Sequence, residues 1–287
     1  MKILCTAVNN ITFIEIQYHT LKKYFQGDFS LTIFNDCKSF PDPTNGYDTS
    51  LRSKIAQKCL DIGIQCIEVP NDHHQHITNY SERCSDVFNI IQKYMMTNPD
   101  KYFVIDSDMF LTAPFDISRY EGYQAAVVLQ SRNNFTTNYI WNGLFYFDMG
   151  LLKNAGMMDW GMVGNCDCGG KMEGWLRSVV KDIPSTDDVR WKEGEYHRDG
   201  VYFIRHLWSL TWNTQDIITS KSNVDGKIRV SDKLHKFFEE DPRNKDGKYF
   251  CEMYDGCFLH YRAGGGWRGE GKHLHDYLSE KLKVALI

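Results

Sequence analysis

Over the first hundred or so residues, short apolar runs of strand length alternate with amphipathic stretches of helix length, and few folds accommodate that alternation. Lys2 to Val8 reads as a strand, after which Ile14, Tyr18, Leu21 and Phe25 recur at helical spacing. Ser30 to Phe34 reads as a second strand, followed by a helix with Leu51, Ile55, Cys59 and Ile62 on one face. Ile64 to Val69 is a third strand, ended by Pro70. The next helix carries Cys84, Val87, Phe88, Ile91 and Met95 in one stripe, stops at Asn98-Pro99, and leads into a fourth strand, Lys101 to Ile105. Strands joined by helices of this length need right-handed crossovers, and so predict an α/β fold with a Rossmann-like, mainly parallel sheet flanked by helices.

The pattern changes after Asp108. Gln124 to Gln130 and Trp141 to Phe147 read as further strands, the second strongly aromatic. Met172 to Val180 reads as a short helix in a stretch rich in Gly and Asp. Tyr202 to Leu210 is apolar, and Ser231 to Asp246 is polar and reads as loop. With no clean linker, residues 1–287 are read as one domain, with a nucleotide-binding half (1–110) and an elaborated acceptor-side half (111–287). At 287 residues the chain is near the size above which single cores split.

A formal charge of -4 without a Lys/Arg block gives no footprint for nucleic acid or an anionic membrane. A phosphate-bearing ligand would need local neutralisation. The N-terminal apolar run is too short for a signal peptide, and no stretch has the length of a membrane span. Nine cysteines, an odd count, point to reduced thiols and a cytoplasmic location, where the sequon Asn134-Phe135-Thr136 would go unused.

In a sheet of this kind ligands bind beyond the carboxyl ends of the strands. Asn9-Asn10, Asn35-Asp36 and Asp106-Ser107-Asp108 gather there. Neither G-x-G-x-x-G nor a P-loop is present. Residues two apart in an extended segment share a face, so Asp106 and Asp108 converge while Ser107 turns away. Two carboxylates so placed repel unless a counter-charge lies between them, and hard oxygen ligands suit Mn²⁺ or Mg²⁺ bound together with substrate phosphates. Further on, His260-Tyr261-Arg262-Ala263-Gly264-Gly265-Gly266-Trp267 combines an imidazole, a phosphate-binding guanidinium, glycines that let backbone N–H groups approach, and an aromatic ring able to cover a base or sugar. His73-His74-x-His76 sits in a polar turn after Pro70 and reads as a solvated loop. The cysteine spacings fit no zinc site.

The apolar strand leading into Asp106-Ser107-Asp108 resembles that of GT-A glycosyltransferases, whose D-x-D follows a buried strand in the same way. The resemblance implies transfer of a sugar from a UDP- or GDP-sugar to the hydroxyl of a glycan, protein or small-molecule acceptor. It implies Mn²⁺ or Mg²⁺ held by Asp106, Asp108 and His260. Donor contacts would come from Ala7, Asn9, Asp36, Ser107, Asn142, Gly143, Arg262 and Trp267, with Arg83 as a surface residue on the helix before the D-x-D. Asp167, expected at a helix start, would be the catalytic base, with Asp199 in reserve. A sugar nucleotidyltransferase and a non-catalytic carbohydrate-binding protein are the competing readings. A dehalogenase-type phosphohydrolase fits less well, because Phe110 stands where its motif usually has Thr or Val.

Overall fold

The computed structural model describes residues 1–132, 136–191, 196–220, 224–264 and 271–287. The first half follows the predicted alternation: β1 (Lys2–Ala7), α1 (Ile11–Tyr24), β2 (Ser30–Asn35), α2 (Leu51–Asp61), β3 (Gln65–Glu68), α3 (Tyr80–Thr97) and β4 (Lys101–Ile105). Beyond it come β5 (Met109–Leu111), β6 (Ala125–Arg132), β7 (Thr137–Asp148), α4 (Met172–Val179), β8 (His197–Arg198), β9 (Val201–Phe203) and β10 (His206–Leu207). The chain ends with α5 (Asp232–Glu239), β11 (Glu252–Tyr254), β12 (Phe258–His260) and α6 (Gly271–Leu286).

Eight strands form the main sheet in the order β8-β9-β6-β7-β4-β1-β2-β3, and four of its seven pairings are parallel. Its central strands are apolar on both faces because both are covered. Ile3, Cys5 and Ala7 of β1 pack with residues of α1 and α2, whereas Leu4 packs with Val87, Phe88 and Ile91 of α3. Asn10 and Asn79 start α1 and α3 by accepting backbone N–H groups of Phe13 and Ser81, as N-cap side chains do. No helix among the described residues is long and apolar enough to cross a membrane.

A second, fully antiparallel sheet, β10-β11-β12-β5, stands beside the first. Its strand β5 begins one residue after Asp108, so the D-x-D is the corner at which the chain leaves one sheet for the other. Phe110, Leu259 and Met253 of this sheet share a core with Phe13 of α1, Leu234, Phe237 and Phe238 of α5, and Leu278 and Leu282 of α6. The polar segment Ser231 to Asp246, expected as loop, therefore contains a helix. Ser231 caps it through Leu234 N–H, and three apolar residues at helical spacing bury its inner face. The apolar run Tyr202 to Leu210 is likewise divided between two strands in different sheets.

Candidate functional site

The Asp106 N–H donates to Gly143 C=O at 2.8 Å, which fixes the end of β4 against β7. Gln17 of α1 then clamps the following turn by donating to the carbonyls of Asp106 (2.6 Å) and Met109 (3.2 Å). Asp108 is buried. Its Oδ2 accepts the Gly264 N–H at 2.9 Å, and its Oδ1 lies 3.2 Å from His260 Nε2. That approach of Gly264 demands glycine, since a Cβ there would fall 2.9 Å from Asp108 Cβ and 2.6 Å from the Phe13 ring. One ligand atom from each of Asp106, Asp108 and His260 lies within 4.8 Å of the others.

His260 arrives through strand pairing, opposite Met109 on β5 and opposite Glu252 on β11. The Asp255-Gly256 turn of that β11–β12 hairpin has positive φ at both residues, the conformation Asp-Gly favours. Across the hairpin His260 Nδ1 is 2.8 Å from Glu252 Oε2. Trp141 lies against the His260 ring at 4.9 Å and stacks on Tyr254 at 5.2 Å. Gly143 makes room for that indole, because a Cβ at Gly143 would come within 2.1 Å of it.

Burial and mutual charge act together on these groups. Burial, reinforced by the Asp108 charge, pushes Asp106 up to about 6. Burial also opposes ionisation of Asp108, but His260 and the Gly264 N–H together hold it below the ordinary carboxylate range. Burial would discharge His260, yet Asp108 and Glu252 outweigh it and raise the imidazole to about 10. Glu252, despite its burial, is kept low by His260 and the Tyr254 hydroxyl. The donor set therefore fits a divalent cation. Two carboxylate oxygens and an imidazole suit Mn²⁺, or Mg²⁺ with more water, and the proton now on His260 is what such an ion would displace.

Asp106 lies at the junction of two cavities. The smaller, about 440 Å³, is lined by Thr6, Val8, Asp36, Lys38, Thr44, Tyr80 and Arg83 among others. The larger, about 910 Å³, is lined by Trp141, Asp187, Arg190, Trp208, Phe250, His260 and Arg262 among others. Cys84, Asp106, Asn142, Asp167 and Ala263 border both.

The structure thus brings Asp36, Arg83, Asn142, Asp167 and Arg262 to the cavities around Asp106, Asp108 and His260. Other expected residues stand differently. Ala7 points into the α1-side core, and its neighbours Thr6 and Val8 line the smaller cavity. Asn9 is buried and donates to Thr44 C=O at 2.8 Å, holding a wall of that cavity. Gly143 supports Trp141, and Ser107 turns back on Asp106 with its N–H 2.7 Å from Oδ1. Arg83 is not a surface residue. Only 8% exposed, it pairs with Asp42 at 2.7 Å and donates to Ile77 C=O. Asp167 is not at a helix start either, because α4 begins only at Met172 with Lys171 as its cap. Asp199, at a turn with φ of 51°, accepts Lys181 N–H and adjoins the strand ends Ala125 and Val201, at the edge of the sheet opposite Asp106. It has no part in this site. Trp267, Gly265 and Gly266 lie outside the described residues. The sequence reading missed Glu252, Asp187, Lys38, Trp141 and Trp208. Of these, Glu252 carried a signal: E-M-Y-D-G-C-F-L-H is a hairpin around Asp-Gly that sets Glu252 opposite His260.

No family model matches the chain, and no curated protein matches it in sequence. Solved structures that part of the chain resembles include the galactosyltransferase LgtC in complex with donor and acceptor sugar analogues, 11% identical with a TM-score of 0.37. The likeness covers 52% of this chain and 58% of LgtC, so it spans little more than half of that protein. An active-site mutant of LgtC gives 10% identity and a TM-score of 0.36 over 52% of this chain and 58% of that one. The bifunctional glycosyltransferase WbbM, in its apo form, gives 8% and 0.36 over 55% of this chain and 33% of its own. At such low superposition the likeness to these glycosyltransferases bears on neither substrate nor residue roles.

Proposed function

We propose that the chain is a divalent-metal-dependent glycosyltransferase that moves a sugar from a nucleoside diphosphate sugar to an acceptor hydroxyl. The observation that carries this reading is the convergence of Asp106, Asp108 and His260, with Asp106 bordering both of two adjoining cavities and His260 lining the larger. Transfer of a sugar breaks its bond to the diphosphate and forms one to the acceptor oxygen, so two ligands must meet, and two adjoining cavities would give each a compartment. When bound, the cation supplies positive charge to the diphosphate oxygens as the sugar leaves.

The smaller cavity would take the nucleoside, with Asp36 and Lys38 presenting an acceptor and a donor, Tyr80 an aromatic face, and Arg83 a guanidinium toward donor oxygens. The larger would take the acceptor, with Trp141, Trp208 and Phe250 offering ring faces to sugars. Asp167 stands between them. Ser81 Oγ (2.6 Å) and the Cys168 N–H (2.8 Å) both donate to its Oδ1, which orients the carboxylate for a role as base in an inverting transfer. The nine cysteines are all thiols, which supports a reducing, cytoplasmic setting.

Calorimetry with UDP- and GDP-sugars in Mn²⁺ and in EDTA tests the reading, with metal-dependent binding followed by slow hydrolysis as the expected outcome. Equal affinity with and without metal would remove the metal role. Binding without any turnover would leave a carbohydrate-binding protein.

A further inference from the structure

His260 can serve a cation through Nε2 when its proton stays on Nδ1 and that N–H is donated to an acceptor. Glu252 is built for that. Its register opposite His260 is set by the β11–β12 pairing, and its Oε2 lies 2.8 Å from His260 Nδ1. The remaining capacity of the carboxylate is also filled: Tyr254 Oη donates to Oε2 at 2.8 Å, the Ser209 N–H to Oε1 at 3.2 Å, and Arg262 Nε stands 3.6 Å from Oε1. Glu252 and Tyr254 are two apart on one strand and so share a face, where Trp141 covers the tyrosine and the imidazole together. A carboxylate held from four sides leaves the imidazole one orientation, with Nε2 toward Asp108.

We infer that Glu252 is a positioning residue, which anchors His260 by Nδ1 and so presents Nε2 to the cation shared with Asp106 and Asp108. The inference rests on the proposed metal dependence. Carboxylates or carbonyls behind a ligating imidazole fix its tautomer and raise its basicity, and their loss commonly weakens metal affinity about 10- to 100-fold.

The test is Mn²⁺ binding to the whole protein without nucleotide, followed by calorimetry and by pulsed EPR, whose nitrogen modulation reports an imidazole on the ion. Glu252→Gln keeps the shape and removes the charge. Its Mn²⁺ affinity should fall about 10- to 100-fold, with the nitrogen modulation reduced. Tyr254→Phe deletes one hydroxyl that steadies Glu252, should lower affinity by a smaller factor, and carries the test if the glutamine variant does not fold. If wild type binds Mn²⁺ and Asp108→Ala loses it while both of these variants bind with unchanged affinity and modulation, Glu252 is only a structural ion-pair partner. If wild type binds no Mn²⁺, the metal reading falls and this assignment falls with it.

Discussion

Among the described residues, two places bring three potential metal ligands within 4.8 Å: Asp106, Asp108 and His260 at the sheet corner, and His73, His74 and Asp86 beside α3. They differ in what stands behind the imidazole. His260 has a carboxylate at Nδ1, so it can give that nitrogen a proton and keep a lone pair for an ion. His74 has the Lys38 ammonium at Nδ1, 2.8 Å away, and an ammonium can only donate. Its proton therefore sits on Nε2, which donates to Asp86 Oδ2 at 3.0 Å. Burial and Lys38 together hold His74 below the ordinary imidazole range, so it stays neutral. Positive charge is already supplied there, because Lys38 also pairs with Asp36 at 2.7 Å. At the sheet corner two carboxylates face one imidazole with a third carboxylate behind it. Proximity of ligand atoms is common to both clusters; in the second, the Nε2 proton of His74 is directed at Asp86, so that imidazole has no lone pair turned toward an ion.

The largest effect should follow Asp108→Ala, which removes the one carboxylate that contacts both His260 and the Gly264 backbone. Mn²⁺ binding should vanish, and transfer should fall roughly 10²- to 10³-fold, as loss of several kcal/mol of charge stabilisation implies. Transfer assays and calorimetry on the same preparation check it, and retained Mn²⁺ binding would erase the distinction between the clusters.

Lys38→Met should act on the second cluster without touching the metal. It leaves Asp36 buried beside a neutral side chain and frees His74 Nδ1, so a loss of about 3 kcal/mol in unfolding free energy is expected. Urea denaturation reads this, and an intact Mn²⁺ affinity should accompany it.

The pH response sharpens the comparison further. In metal-free protein Asp106 and His260 each hold their proton to higher pH than in the unfolded chain. Each of these two groups then contributes stability that is lost as pH rises, against the opposite contribution of Asp108, Glu252 and His74 at lower pH. The fall should run from the ordinary aspartate range to about 6 for Asp106, and from the ordinary imidazole range to about 10 for His260. Saturating Mn²⁺ should flatten or reverse the upper part, because the ion takes the proton's place and binds more tightly as pH rises. Melting curves at pH 6 to 9 with and without Mn²⁺ test this, and parallel curves would count against the ion at His260.

The smallest effect belongs to His73→Ala. That side chain is 55% exposed and meets only the edge of the second cluster, 3.2 Å from Asp86. Stability should change by no more than about 0.5 kcal/mol, with Mn²⁺ affinity unaltered.

The features legible before folding are those that short-range spacing can encode. Apolar residues three and four apart marked α1, α2 and α3, and unbroken apolar runs marked β1, β2 and β4, because each pattern repeats within one element. The same logic predicted Asp106 and Asp108 on one face at a strand's end; the chain turns at Ser107 and Asp108 instead, and the turn brings one carboxylate oxygen of each within 4.8 Å. Spacing was weaker where it was brief or two-sided. In α5 only Leu234, Phe237 and Phe238 show an inner face among polar residues, and in β1 both faces are apolar, so nothing local said that Thr6 and Val8 rather than Ala7 would face a cavity. The remainder was decided by register and packing between distant segments. Asp86 came to His73 and His74 through the docking of α3, Asp199 was sent to the far edge by the parallel pairing of β9 with β6, and His260 met Asp108 because β12 pairs with β5. Such contacts depend on which strand lies beside which, and on how far each slides. A residue's own neighbours in sequence do not fix either one, because burying the whole apolar surface together is what selects them.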